Sequence, residues 1–531
     1  MRENDTRIAV RFDHVSFSYG QGERSQSENR THGDVKALVD IDITIPRGHV
    51  VLLCGDSGCG KTTVTRLING LVPHYLEGDL EGSVTVAGRD VSNSTLTSLS
   101  RHVGSVFQNP RSQFFTLSVE GELAFACENF EIPPHEIRRR MADAERNYDI
   151  EGLRGRSISG LSGGQKQTVA CAAVSCAGPS IMVLDEPSSN LDATSISRLR
   201  SVISMWRDEG RTVVIAEHRL YWLAGVVDDV VHMDSGRVSH ILNGHDFFSM
   251  SDDARREWGL RPLTIEQIAE SRMSGPASDP LMHFPCSPDT TACDASSVDE
   301  DCSGYRIDHF RYCYPDSKCQ ALSVPEGFLH AGKVTAIVGL NGAGKSTFAR
   351  CLQGLDRRCE GRLVAADGTR LGRRRRLREC FTVFQDVNRE LFAQSVLEEV
   401  MLSQSVENRD VALEAVRCVD LEAYVDRHPL SLSGGQKQRV MIAAALACER
   451  PIVVFDEPTS GLDARHMTQV ATVVRRLAAL GRVVVVVTHD PEFALLACDC
   501  VMELRQEKIA SAYELDGANG RHLVDALVAR I

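Results

Sequence analysis

Two pairs of adjacent carboxylates, Asp185–Glu186 and Asp456–Glu457, each close an apolar run: IMVLDEP (181–187) and IVVFDEP (452–458). Short apolar runs of this kind read as buried strands, which release their last side chains at the edge of a sheet. An Asp at that point suits holding Mg²⁺, directly or through water. The Glu after it is placed to polarise an attacking water. His218 ends TVVIAEH and His489 ends VVVVVTH, so each emerges from another apolar strand. A lone histidine at a strand end is usually structural. Its coincidence with an Asp-Glu pair, twice in one chain, makes both histidines candidates for the reaction, beside Glu186 and Glu457.

The acceptor of that chemistry is written further upstream. HVVLLCGDSGCGKT (49–62) and KVTAIVGLNGAGKS (333–346) are β-rich runs that end in G-x-x-x-x-G-K-[ST]. Glycines at that spacing let backbone N–H groups curl around phosphate oxygens, a lysine neutralises charge, and a hydroxyl reaches Mg²⁺. The candidate phosphate contacts are Gly55, Asp56, Ser57, Gly58, Cys59, Gly60, Lys61, Thr62 and Thr63. In the second loop they are Gly339, Leu340, Asn341, Gly342, Ala343, Gly344, Lys345, Ser346 and Thr347. Val64, Leu67, Ile68 and Leu71 follow at i, i+3, i+4 and i+7, as do Phe348, Cys351, Leu352 and Leu355. That spacing predicts a helix after each loop. Its positive N-terminal end would face the nucleotide.

All these landmarks come in two sets. Lys61 pairs with Lys345, Gln108 with Gln385, Asp185 with Asp456 and His218 with His489, and the heptapeptide LSGGQKQ stands at both 161–167 and 432–438. The repeat unit is domain-sized, which reads as duplication of a whole domain. The expected boundaries are a first domain over 8–262, a linker over 265–303 and a second domain over 304–525. The linker is rich in Ser, Asp and Pro. QGERSQSENRTHGD (21–34) reads as an inserted surface loop.

Composition bounds the class. The chain has 531 residues, 43% hydrophobic and 25% charged, and a formal net charge of −13. That charge disfavours lying along nucleic-acid phosphates. No apolar run reaches the ~20 residues of a membrane-spanning helix, and MRENDTRIAV lacks the apolar stretch of a signal peptide. The sequence predicts a cytosolic protein that docks on a membrane partner. Its 17 cysteines include no C-x-x-C pair, so they read as reduced thiols rather than metal ligands.

Phosphate loop, D-E-P strand and strand-end His together describe a P-loop NTPase, a doubly wound α/β domain with its ligands at the strand C-termini. LSGGQ upstream of a D-E-P strand resembles the signature of ATP-binding-cassette (ABC) ATPases. The resemblance implies two tandem domains, each with a RecA-like α/β core, an antiparallel β subdomain and an α-helical signature subdomain. It implies ATP and Mg²⁺ as ligands. Tyr19 and Tyr314 match the adenine-stacking aromatic, Gln108 and Gln385 the Q-loop, and Asp192 and Asp463 the D-loop. Ser162, Gly163, Gly164 and Gln165, and likewise Ser433, Gly434, Gly435 and Gln436, match the signature. In that family the signature meets the nucleotide held by the opposite phosphate loop, so head-to-tail half-sites need one signature each. The implied Mg²⁺ ligands are Thr62, Gln108 and Asp185, and Ser346, Gln385 and Asp456.

Finer resemblances follow each Q-loop glutamine. FQNPRSQFFTLSVEGELAFACEN (107–129), FQDVNRELFAQSVLEEV (384–400) and EHRL (217–220) resemble the fused ATPases of energy-coupling factor (ECF) importers. That implies a subunit on the cytoplasmic face of the membrane, powering uptake of a vitamin, a vitamin precursor or a transition-metal ion. A membrane-embedded T component and a substrate-binding S component would be its partners. Glu122 and Glu399, each 14 residues after its glutamine, are read as carboxylates edging an apolar groove that accepts arginine-bearing coupling helices. Alternatives are the tandem ATPase of a sugar or peptide importer and a tandem ABC protein acting on the ribosome. The acidic, proline-broken linker disfavours the ribosomal one. Both sites are expected to be competent, with Thr62 and Asn190 in the first where Ser346 and Gly461 stand in the second. Two further expectations concern single features. Cys59, beside Lys61, should have thiolate character. The run GRRRRLREC (372–380) reads as a solvated loop or a contact for anionic headgroups.

Overall fold

The computed structural model describes residues 7–20, 36–189, 191–270, 303–314, 320–516 and 519–528. The 21–34 loop, Asn190 and most of the predicted linker lie outside them. The chain divides into two compact units, one built chiefly from residues up to Ile265 and the other chiefly from Glu266 onward.

In the first unit, Ile8–Tyr19 pairs antiparallel with Leu38–Pro46 and Gly78–Val86, and Arg89–Asp90 completes a four-stranded sheet. A six-stranded sheet runs in the order Arg237–Asn243, Asp229–Asp234, Val50–Gly55, Thr212–Ala216, Ile181–Asp185, Val103–Val106. Its strands are parallel except at the hairpin Asp229–Asn243. Val50–Gly55 is buried along its whole length, as a strand covered on both faces must be. The helices Val119–Asn129, Pro134–Asn147 and Gly163–Cys176 form a separate cluster.

The second unit repeats the plan. Its antiparallel sheet is Gln320–His330, Gly304–Cys313, Glu360–Ala365, Arg370–Leu371. Its six-stranded sheet is Cys380–Val383, Ile452–Asp456, Val483–Val487, Val334–Val338, Cys500–Arg505, Lys508–Glu514. Five consecutive valines fill the buried strand Val483–Val487, where β-branched side chains pack well against sheet neighbours. In each unit one apolar cluster joins the antiparallel sheet, the helix after the phosphate loop and one face of the six-stranded sheet. This is the two-domain α/β architecture expected, helical subdomain included.

Three boundaries differ from expectation. The phosphate-loop helices span Lys61–Ile68 and Lys345–Gln353, and both stop at a glycine in the left-handed region, Gly70 (φ 77°) and Gly354 (φ 84°). The i+7 members Leu71 and Leu355 therefore fall outside them. The segment read as linker from residue 265 opens as a helix, Ile265–Glu270, with Ile268 buried. The last helix, Asn519–Val528, runs past 525 and buries Leu527 and Val528.

Candidate functional site

Each phosphate loop connects a buried strand to a helix, and glycine is obligatory at two of its points. Gly55 (φ 136°) and Gly339 (φ 144°) pass so close to the backbone of Met233 and Leu504 that a Cβ would overlap a carbonyl oxygen. Gly60 (φ 104°) and Gly344 (φ 97°) are the left-handed N-caps of the two helices. The ammonium of Lys61 donates to Gly55 O (2.9 Å) and Asp56 O (2.8 Å), and Lys345 donates to Gly339 O (2.8 Å) and Leu340 O (3.1 Å). A buried cation satisfied only by its own loop's carbonyls fits the exchange of those acceptors for phosphate oxygens.

A hydroxyl and a carboxylate converge beside each loop. Thr62 Oγ1 donates to Asp185 Oδ1 at 3.2 Å, and Ser346 Oγ to Asp456 Oδ1 at 3.4 Å. Burial, followed by the neighbouring Glu457, pushes Asp456 up to about 6; burial also raises Asp185. Hard oxygen donors in a site that lacks positive charge suit Mg²⁺. Thr62 with Asp185, and Ser346 with Asp456, would hold it.

The next carboxylates, Glu186 (φ 45°) and Glu457 (φ 54°), both adopt the left-handed backbone region. Non-glycine residues held there gather at functional sites. Each is fixed by its N–H donating to the adjacent strand, at Ala216 O (2.8 Å) and Val487 O (2.9 Å). Glu186 Oε2 accepts from Gln108 Nε2 at 2.6 Å, while His218 Nε2 stands 3.7 Å from Oε1. In the second unit His489 Nδ1 is 2.6 Å from Glu457 Oε1. Glu186 is pushed up to about 8, first by burial, then by Asp185 and Glu217.

Tyr19 and Tyr314 lie beside the helices that follow the loops. Their hydroxyls meet Thr63 Oγ1 (3.1 Å) and Thr347 Oγ1 (2.9 Å), and Arg66 also donates to Tyr19. Both signatures are capping boxes. Ser162 accepts from Gln165 N and Ser433 from Gln436 N, each glutamine side chain returning the bond to the serine N–H. The helices Gly163–Cys176 and Gly434–Ala447 thus start with ordered N–H groups. Asp192 caps Ala193–Asp208 by accepting from Ser195 N.

Three expectations meet a different geometry. Glu122 and Glu399 do not edge an open groove; both are buried. Their Oε2 atoms accept from Phe115 N and Thr116 N (3.2 and 3.0 Å), and from Phe392 N and Ala393 N (2.7 and 2.8 Å). What they hold outward is aromatic: Phe115 is 73% exposed and Phe392 80%. Cys59 is buried, and desolvation raises its pKa despite Lys61 Nζ 3.6 Å away. The Arg run is a helix, Arg373–Glu379, and Arg376 is completely buried under the ring of Phe310, 4.8 Å from its centroid. That residue is thus not a solvated loop residue.

Glu217 was not assigned a role from sequence. It is buried and accepts from Ser188 N (3.1 Å), His218 N (2.8 Å) and Arg219 N (3.1 Å), so it ties the strand-end histidine to the loop after Glu186. Its departure from Thr488 in the repeat was the legible signal.

A family model described as ABC transporter matches residues 38–189 and 326–460. A Treponema denticola protein provisionally described as an ABC transporter ATP-binding protein is 38% identical over 93% of this chain and 95% of its own length. A Methanosarcina acetivorans protein with the same description is 32% identical over 95% of this chain and 86% of its own. Among solved structures, a ribosome-bound archaeal Pelota and ABCE1 assembly contains a chain of like fold, 21% identical (TM-score 0.63, covering 93% of this chain and 78% of that one). At that identity the likeness is one of fold.

Proposed function

This chain belongs to the ABC transporter family of ATP-binding proteins and is a tandem ABC ATPase, and from that premise we propose that it powers an ECF-type importer. The domain limits are those expected from sequence, 8–262 and 304–525, with Ile265–Glu270 attached to the linker's start and Asn519–Val528 to the second domain's end. Lys61 and Lys345 bind phosphate, Thr62 with Asp185 and Ser346 with Asp456 hold Mg²⁺, and Gln108 and Gln385 face the same point. Glu186 and Glu457 take the proton of the attacking water, while His218 and His489 orient the reacting phosphate. The bound Mg²⁺ would supply charge neutralisation at the transferring phosphoryl group.

One observation carries the coupling role: each unit presents bare aromatic surface just past its Q-loop. Phe115 stacks on Phe125 with ring centroids 4.8 Å apart, beside Leu117 at 87% exposure, and Phe392 occupies the matching place in the second unit. Exposed apolar groups rimmed by polar residues mark partner sites. Here the partner would be the helices of a membrane T component, with a separate S component choosing the cargo. Among the described residues no helix is long and apolar enough to cross a membrane, so a membrane role requires such a partner. The importer resemblance of FQNP and EHRL points to the ECF class.

The test is co-purification from native membranes. Phe115→Ala with Phe392→Ala should release the membrane protein while ATP binding by the subunit persists. Recovery of ribosomes instead of integral membrane proteins, unaffected by the double mutant, would overturn the importer reading.

A further inference from the structure

The repeat exposes an oddity behind the second phosphate loop. Counting from the lysines, Cys351 stands where the first unit has Leu67. Gly82 (φ 81°) and Gly361 (φ 93°) make the same close approach to the backbone at His14 and His309, which equates Cys359 with Leu80. The strands Val103–Val106 and Cys380–Val383 are equivalent neighbours of the D-E-P strands, so Cys380 replaces Val103 and Arg376 replaces Leu99. Leu67, Leu80, Leu99 and Val103 form part of one apolar core. Its counterpart holds three thiols and a guanidinium.

A guanidinium replacing a buried leucine is costly unless an opposite charge accompanies it. Arg376 Nε and Nη1 are buried with no hydrogen-bond partner. The charges that favour its cationic form are those of Cys359, then Cys351 and Cys380, with a hydrogen bond to Cys359. Cys359 and Cys351 are also hydrogen-bonded to each other. Cys380 is turned away, toward Leu352 O at 3.8 Å. Cys359 is only partly buried, whereas Cys351 is fully buried. In its protonated form Cys359 donates to Glu360 O at 3.3 Å. Deprotonated, it accepts from Cys351 and Arg376, which hold its pKa below the usual thiol value against burial and the nearby Asp356; Cys351, as the donor, is raised.

We propose that Cys359 and Cys351 form an oxidisable thiol pair, poised by Arg376, that small peroxides convert to a disulfide. An accessible, charge-stabilised thiolate beside a second thiol is the arrangement that such chemistry requires. The Cys359 thiolate attacks one oxygen of the peroxide, the O–O bond breaks, and hydroxide leaves to give a sulfenic acid. The Cys351 sulfur then displaces that oxygen, which departs as water with the Cys351 proton. The net change is two thiols and one hydrogen peroxide to one disulfide and two waters. The bond would tie the helix Lys345–Gln353 to the residue preceding strand Glu360–Ala365.

The full chain is exposed to hydrogen peroxide, residual thiols are blocked with N-ethylmaleimide, and tryptic peptides are mapped. Cleavage at Arg357 and Arg358 separates the two cysteines, so a linked pair of peptides reports the bond. Before oxidation, Cys359 should react with iodoacetamide at neutral pH at least about tenfold faster than exposed Cys313 of the same molecule, which serves as the internal standard. Arg376→Leu, which restores the first unit's residue, should reduce that ratio to about one, and Arg376→Lys should recover part of it. The wild-type measurements stand on their own if the leucine variant does not fold. Alkylation of Cys359 no faster than Cys313, or peroxide treatment that leaves 351 and 359 unlinked, would overturn the proposal.

Discussion

The first and second ATP sites share loops, capping boxes and strained glutamates, yet they settle their hydrogen bonds differently. In the first, Gln108 holds Glu186 at 2.6 Å and His218 stands off at 3.7 Å. In the second, His489 reaches Glu457 at 2.6 Å. Behind this lies a single replacement. Glu217 binds the N–H of His218 itself, whereas Thr488 in the same place donates no such carboxylate and Thr488 Oγ1 accepts from Asp490 N instead (3.0 Å). The difference teaches that two copies can keep the reacting groups in common while diverging in what aims them.

The strongest way to break the comparison is to remove each glutamate in turn. Glu186→Gln and Glu457→Gln should each slow hydrolysis at the altered site by ~10²-fold or more, the usual cost of losing a general base. Single-turnover ATP hydrolysis and trapped-nucleotide counting separate the sites. If one variant keeps the parental steady-state rate in the membrane-bound complex, that site does not turn over and the two are unequal in kind.

The aiming residue comes next. Glu217→Thr, copying the second unit, leaves three buried N–H groups without their carboxylate acceptor, at a cost of about 1–3 kcal/mol. The thermal unfolding midpoint should fall. If the introduced threonine recreates the second unit's arrangement, His218 should also gain contact with Glu186, and single-turnover hydrolysis should move toward the second site's rate. An unchanged midpoint would mean that the N–H groups find other partners.

What the sequence made legible follows from where side-chain type dictates geometry. Glycine spacing, a following lysine and strand-end carboxylates leave little freedom, so the phosphate loops and Asp-Glu pairs were readable from Gly55 to Glu457. Periodicity gave the helices but missed their ends, because Gly70 and Gly354 stop them by backbone conformation. Side-chain direction was beyond reach. Glu122 and Glu399 look like surface carboxylates in a string of letters, and only the fold shows their Oε2 atoms turned onto the backbone of the preceding loop. The Arg run misled in the same way. Three arginines of Arg373–Arg376 read as solvated charge, and nothing local marks Arg376 as the one that takes a leucine's place.

A smaller difference lies beside the Q-loops. Gln113 accepts from Phe107 N (3.1 Å) and donates to Ser105 O (2.9 Å). Glu390 accepts from Phe384 N (3.0 Å), but its other oxygen is buried without a partner. Burial, then Glu399 and Asp386, raise Glu390 to about 8 while the Phe384 N–H opposes them. The folded state therefore binds more protons than the unfolded state between the ordinary carboxylate pKa and about 8. Stability should fall as pH rises through that window. Glu390→Gln, copying Gln113, should remove this slope, matching the parent near pH 5 and exceeding it on the order of 1 kcal/mol near pH 9. Parallel melting curves at all pH values would show that Glu390 ionises normally.

The smallest expected effect concerns Cys59, opposite Ala343 in the second loop. A thiol two residues before a lysine invites the expectation of nucleotide-protected alkylation. Burial works against it: Cys59 is 3% exposed, and desolvation outweighs the attraction of Lys61, so the thiol form persists at neutral pH. A thiolate is needed to attack iodoacetamide, and access is needed to reach it. Labelled-peptide mass spectrometry should therefore find Cys59 unmodified in the folded chain, equally with and without MgATP, while exposed Cys313 is alkylated. Cys59→Ala should change stability by no more than about 1 kcal/mol, because a small apolar group replaces a small buried thiol. It should also leave ATP binding at the first site intact, since Ala343 occupies the same place in the second. Fast alkylation of Cys59 that MgATP suppresses would mean that the first phosphate loop opens in solution, and the two loops would then differ in dynamics and not only in sequence.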